Sequence, residues 1–181
     1  MLLHVILSLC FMVQGEAIGS TRAEVSVSAT GAFRIDLHAD FDGLLLGSGP
    51  GGSLGPRLEA MERFRALDSE LQAAAVERLE EFLKRRVRAR FDGRPETFSV
   101  SFPQRRQIGT GVLTLGSTAR LSGQVPTGAA RFQFFASRSF RSVDLRLVSA
   151  TGEERLRFLL QPGEESPEVD LRELGYRQDR L

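Results

Sequence analysis

The chain of 181 residues has no tryptophan, one tyrosine, one cysteine, two histidines and, at Lys84, a single lysine. Each scarcity narrows the chemistry. Cys10 lies in an apolar run near the amino terminus, so a chain cleaved beyond it keeps no cysteine. Disulfides, thiol chemistry and thiolate metal sites are then excluded. His4 belongs to the same run, which leaves His38 as the one histidine and rules out a multi-histidine site. No hydrophobic run reaches the roughly 20 residues that a spanning helix needs. A surplus of one charge is missing too. Lys and Arg number 24 against 23 Asp and Glu, unlike the basic excess of a general nucleic-acid binder. What is present is ordinary for a globular protein: 41% hydrophobic and 26% charged residues, in a length that suits one domain with a real core.

Residues 1–23 read as a secretory leader. Residues 2–13 form an apolar run of signal-peptide length, although no lysine or arginine precedes it. Gly15-Glu16-Ala17 offers one small-x-small cleavage site and Thr21-Arg22-Ala23 a second. The expectation is an exported chain, periplasmic or secreted, with a cysteine-free mature part. Its single domain would span 24–171, followed by a polar tail at 172–181.

Within that domain the dominant period is two. Phe33, Ile35, Leu37, Ala39 and Phe41 alternate with Arg34, Asp36, His38, Asp40 and Asp42, which predicts a strand with one apolar and one polar face. Residues 24–28 precede it across a turn, so the two read as a hairpin. After a glycine-rich stretch at 47–55 the period lengthens. Leu58, Met61, Phe64 and Leu67 recur every three residues, and Leu71, Ala75, Leu79, Phe82 and Leu83 share a helical face. Ser69 with Gln72 matches a capping box between them. These two helices, about 57–86, are an insertion in a β protein.

Alternation returns at Val87. Asp92-Gly93 marks a tight hairpin turn, Phe98, Val100 and Phe102 continue on the return strand, and Pro95 makes that strand start late or lie at an edge. Residues 103–110 read as an irregular polar loop. Residues 113–136 read as two long strands joined by a Pro126-Thr127-Gly128 corner. Further strands are expected at 143–147, 156–160 and near Val169. About eight strands with regular turns predict an antiparallel β-sandwich, mainly β, with the two-helix segment added. Phe135, Val148 and Leu159 fall on outward faces, which implies that the helices cover part of a sheet.

Candidate chemistry is sparse. Asp36, His38 and Asp40 alternate along one strand, so an imidazole and flanking carboxylates could share a face and hold a divalent metal. The competing reading is a solvated polar face. Serines lack a nucleophile-elbow glycine pattern, and the glycine-rich stretch lacks the Gly-Lys-Ser/Thr ending of a phosphate loop. No catalytic or cofactor-binding set is expected, and the chain reads as non-enzymatic. Lys84, Arg85, Arg86, Arg88 and Arg90 form a basic run at a helix end. Such cations favour the helix terminus; contact with anionic headgroups or an acidic partner is the alternative.

Three short motifs carry a resemblance: Arg-Phe-Asp-Gly at 90–93, Leu-Ser-Gly-Gln-Val-Pro-Thr-Gly-Ala at 121–129, and Gln-Pro-Gly-Glu-Glu-Ser-Pro at 161–167. With the leader, the alternating first strand and the aromatic strand after the corner, their order resembles the extracytoplasmic N-terminal region of hydrogenase/urease accessory membrane proteins of the HupE/UreJ type. The resemblance implies a periplasmic β-rich domain. In that family it precedes a polytopic membrane part linked with nickel or a related metal. That part has no counterpart here, so its transport role and metal ligands are not carried over. The functional expectation is an exported accessory or interaction domain, partnering a separately encoded membrane protein, with peripheral membrane contact and no nucleic acid. The alternative is a periplasmic metal-binding protein using Asp36, His38 and Asp40.

Overall fold

The computed structural model describes residues 21–46, 54–108 and 112–176. The first hairpin forms as its alternation predicts. Strands β1 (Thr21–Val27) and β2 (Ala32–His38) are antiparallel, with Ala23, Val25, Phe33, Ile35 and Leu37 buried and Glu24 and Arg34 directed away from the core. The mainly β architecture and the helical insertion are both present. A six-stranded sheet runs β11-β10-β1-β2-β8-β5 and a four-stranded sheet runs β12-β9-β3-β4, packed as a sandwich; β6 and β7 make a separate ribbon. The remaining strands are β3 (Val87–Phe91), β4 (Arg94–Glu96), β5 (Ser99–Ser101), β6 (Arg106–Ile108), β7 (Val112–Thr114), β8 (Thr118–Gln124), β9 (Arg131–Ala136), β10 (Val143–Val148), β11 (Glu154–Leu160) and β12 (Val169–Asp170). The strands are more numerous than the alternation predicts because two expected segments are divided and one strand forms where a loop is expected.

The segment after Asp92-Gly93 splits into β4 and β5, which belong to different sheets. Asp92 and Gly93 both take positive φ (48° and 77°), the geometry of a type I′ turn. Pro95 then sits on β4, the edge of the four-stranded sheet, where its missing N–H does no harm. The segment 113–125 is broken between β7 and β8. Finally, β8 and β9 do not pair with each other: β8 lies beside β2 and β9 beside β3. The Pro126-Thr127-Gly128 corner therefore carries the chain from one sheet to the other. Period-two patterning specifies which face is buried, not which strand is the neighbour. Residues 103–110 contain β6, the other half of the small ribbon, where an irregular loop is expected.

The domain limits also move. Thr21 and Ala23 are 2% and 0% exposed, and Thr21, Arg22 and Ala23 pair with Val143, Asp144 and Leu145. The folded unit thus includes residues 21–23, which the expected limit of 24 omits. Cleavage after Ala23 would cut a central strand, whereas cleavage after Ala17 would leave it whole. At the other end, Leu171, Leu174 and Tyr176 are buried. The expected tail from 172 is therefore part of the core as far as Tyr176.

The helices are α1 (Phe41–Leu45), α2 (Leu54–Arg65) and α3 (Ser69–Arg86). Asp68, not Ser69, caps α3, accepting from the Leu71 amide at 2.8 Å. Gln72 instead reaches back to the carbonyls of Phe64 and Leu67, at 3.4 and 3.1 Å. Carbonyls at a helix end have no intrahelical partner of their own; that of Phe64 also accepts from the Leu67 amide at 3.2 Å. The Gln72 contact turns α3 so that Gln72, Val76, Leu79 and Leu83 are buried and Leu71 is left 48% exposed. Val76, Leu79 and Leu83 join the single core. The helix packs mainly on α1, β3 and β5. Phe135 is covered otherwise: the Arg88 guanidinium lies 5.2 Å above its ring, and Glu165 bridges to its backbone. The expectation that the helices shield this residue is thus corrected. Of the other outward apolar residues, Val148 is buried and Leu159 is 67% exposed.

Candidate functional site

Asp36, His38 and Asp40 do not assemble as a ligand set. Asp36 and His38 do share the outer face of β2, as their spacing predicts. Asp36 is held by a two-point fork from Arg120 on β8, Nε to Oδ1 at 2.7 Å and Nη2 to Oδ2 at 2.9 Å. Both groups stand opposite each other in register, and Arg34 adds a contact at 3.5 Å. Hydrogen bonding to Asp36 raises the Arg120 pKa above its ordinary value. His38 Nδ1 lies 3.1 Å from the Thr118 hydroxyl. Asp40 has left the strand, because it caps α1 and accepts from the Gly43 amide at 2.9 Å. Among the described residues, no group of three or more His, Cys, Asp or Glu side chains is placed to hold a metal ion.

The same outer face carries a second carboxylate centre. Asp144 on β10 accepts from Arg157 Nε at 2.7 Å and from Arg146 Nη2 at 3.0 Å, with Arg22 Nε at 4.0 Å. Burial by itself would push this carboxyl up. The hydrogen bonds from Arg157 and Arg146 outweigh it, so the net shift is downward. A carboxyl depressed in the folded state binds fewer protons there than in the unfolded chain. Its contribution is complete above the ordinary value of 3.8 and is lost as pH falls through the depressed native value. Asp144→Asn should therefore flatten the acid limb of stability, read as urea midpoint against pH by circular dichroism. An acid limb identical to that of the unaltered protein would refute this assignment.

The basic run is largely partnered within the fold. Lys84 pairs with Glu81 at 2.8 Å, Arg86 lies 5.8 Å over the Phe82 ring, Arg88 covers Phe135, and Arg90 pairs with Glu165 at 2.7 Å. Lys84, Arg85 and Arg86 occupy the last turn of α3, where a cation is favourable in any case.

Among the described residues, an apolar edge is left open as well. Met61 and Phe64 of α2, and Leu67 just beyond its end, do not close tightly on their neighbours. Between α2, α1 and α3 lies an open groove of about 390 Å³, lined by Leu44, Leu45, Phe64, Leu67, Leu79 and Phe82. Leu45 and Phe64 also line a smaller cavity of about 80 Å³, which reaches Leu113 and Thr114. The charged side chains lining the two are Arg78, Arg65 and Asp42, and Asp42 is engaged in accepting from the Leu115 amide at 2.8 Å. Leu67 and Leu71, 37% and 48% exposed, lie at the corner beside it. Three-residue spacing signals the apolar edge of α2. It does not signal that three short elements would leave that edge uncovered.

A polar depression lies near β6 and the start of β8. There Gln104 Oε1 accepts from the Ser117 amide at 2.7 Å, a bond that stitches two turns together. Comparison with known proteins adds no relative: no family model, curated protein or solved structure matches the chain.

Proposed function

We propose that the chain is an exported, non-enzymatic accessory domain that docks a separately encoded membrane protein through the groove among α1, α2 and α3. The observation that carries this reading is the contrast between groove and surroundings. Charged residues on the outer sheet faces are drawn into arginine–carboxylate and arginine–aromatic contacts, whereas Phe64 and Leu67 face open space. An apolar groove with cationic lining residues suits an apolar segment with acidic flanks. The motif likeness to the extracytoplasmic region of hydrogenase/urease accessory membrane proteins supplies the context of an exported domain near a membrane. The apolar run at 2–13 supplies the route. No helix among the described residues is long and apolar enough to cross a membrane.

The test is photo-crosslinking in the producing cells, with benzoylphenylalanine replacing Leu67. The expected result is a mature chain that has lost its first 17 or so residues, joined to one integral membrane protein. The adduct should disappear when Phe64→Asp is added. A label confined to the soluble fraction without an adduct would overturn the docking reading. Turnover of generic ester, glycoside or phosphate substrates by the purified chain would overturn the non-enzymatic one.

A further inference from the structure

We infer that β11 is an interaction edge whose partner is a second copy of the same strand, paired antiparallel about a twofold axis at Phe158. The edge of a sheet presents a row of backbone N–H and C=O groups without a neighbour. Proteins blunt such edges by shortness, by proline or by charges on the core face. Among the described residues, the other edges of the sandwich are blunted in these ways. β5 and β4 have three residues each, β4 carrying Pro95, and β12 has two. β11 has seven residues, no proline and β10 as its one sheet neighbour. From Leu156 to Leu160 its core face holds only Leu156, Phe158 and Leu160. Leu160 is buried, whereas Leu156 and Phe158 pack on the core but stay partly in water, because no strand lies beyond them. Leu159, on the outer face, is 67% exposed. A strand added at this edge would cover all three.

The limits of the open stretch set the register. Pairing with β10 slips between Leu147 and Val148, which face Leu156 and Glu154. Beyond Leu160 the chain turns away, the Gln161 amide donating to the Glu164 carboxylate at 2.7 Å. The regular part of β11 is thus Leu156–Leu160, with Phe158 at its midpoint. An antiparallel copy that pairs this whole stretch sets Phe158 against Phe158, Leu156 against Leu160 and Leu159 against Arg157. On the core face apolar meets apolar, with an aromatic pair on the axis. On the outer face the Arg157 stem can lie along Leu159. Charge does not oppose the match. Arg157 is already forked to Asp144 at 2.7 and 3.1 Å, and Arg155 pairs with Glu153 at 2.9 Å, so two copies bring no bare like charges together. Pairing here also leaves the α1–α2–α3 groove clear, because α3 packs on β5, the opposite edge of the same sheet. It is independent of what docks in that groove.

A pairing this short makes a small interface, below roughly 1,200 Å² in all, so the dimer should dissociate on dilution. The experiment is sedimentation velocity on the chain purified from its producing cells, from micromolar to submillimolar concentration. The expected result is a monomer–dimer equilibrium without larger species, since pairing uses up the edge. Leu159→Lys sets a like charge against Arg157 on both sides of the axis. It should raise the dissociation constant roughly tenfold or more, while the circular dichroism spectrum stays unchanged because the side chain is exposed. Leu71→Lys, a similar change at the exposed corner beside the groove, should leave the equilibrium as it was. A chain that stays monomeric throughout would overturn the proposal, and so would a dimer indifferent to Leu159→Lys. Loss of the dimer with Leu71→Lys would overturn it too, since the copies would then meet through the groove. None of these outcomes bears on the crosslinking of the mature chain to a membrane partner.

Discussion

Phe91→Ala is expected to cost about 3–5 kcal/mol of unfolding free energy, the range for truncating a buried phenylalanine. The residue is 2% exposed, and its position explains why the upper part of that range applies. Its ring centroid lies 5.2 Å from Phe33 and 5.4 Å from Phe132, both tilted. Phe132 is its cross-strand partner within the four-stranded sheet, whereas Phe33 belongs to the six-stranded one. Phe91 is thus the middle of an aromatic chain that crosses the sandwich. Its loss removes two ring pairs, worth about 0.5–1.5 kcal/mol each beyond area burial, and leaves a cavity where the sheets meet. The measurement is urea unfolding followed by far-ultraviolet circular dichroism, with the midpoint falling at unchanged slope. Phe91→Leu, which keeps bulk but no ring, should fall between. A cost below about 1 kcal/mol for the alanine variant, no more than an average substitution, would show that the two sheets do not depend on this contact.

Gly123→Ala should destabilise by about 1–3 kcal/mol through overpacking, the reverse lesion in the same core. Gly123 stands opposite Phe33 in register. A β-carbon there would lie 2.6 Å from Phe33 Cε1 and Cζ and 2.9 Å from the Thr97 carbonyl oxygen. Neither neighbour can give way cheaply. Phe33 is 1% exposed and packed on Phe91, while the carbonyl is backbone. Gly123→Val should cost more still. Coupling makes the cause testable: Phe33→Leu in the Gly123→Ala background should cost less than Phe33→Leu alone, because the smaller side chain makes room for the methyl. Strict additivity would mean that the ring is not what excludes the β-carbon.

The alternation of 33–41 specified the buried face of β2 correctly, yet it ran three residues too far. Asp40 is more useful at a helix N-terminus, where its carboxylate meets the Gly43 amide, than at the end of a strand. That one exchange dismantled the Asp36-His38-Asp40 set, while Arg120, 84 residues away, captured Asp36. Neither event leaves a local mark in the sequence. The two-helix segment was legible in extent, but the buried face of α3 was misread by one position: Gln72 and Val76 lie inward where Leu71 and Ala75 were expected. Counting apolar residues favours the leucine. The carbonyls at the end of α2 favour the glutamine, and a pattern of hydrophobicity has no means of weighing them. The groove was illegible for the same reason, since a gap between elements is a property of their arrangement and not of any one of them.

The parallel pairing of β1 with β10 bears on the order of assembly. The two strands flank no short turn, and the Thr21–Phe140 bond that marks their meeting closes a separation of 119 residues. β1 and β2 can zip locally, on the microsecond scale of a hairpin. The other edge of β1 stays open until residues 143–148 have been supplied. Long-range closure of this kind slows folding. A chain delivered amino terminus first would hold that edge unfilled until most of it had emerged. Slow completion leaves one strand edge exposed to wrong neighbours until then.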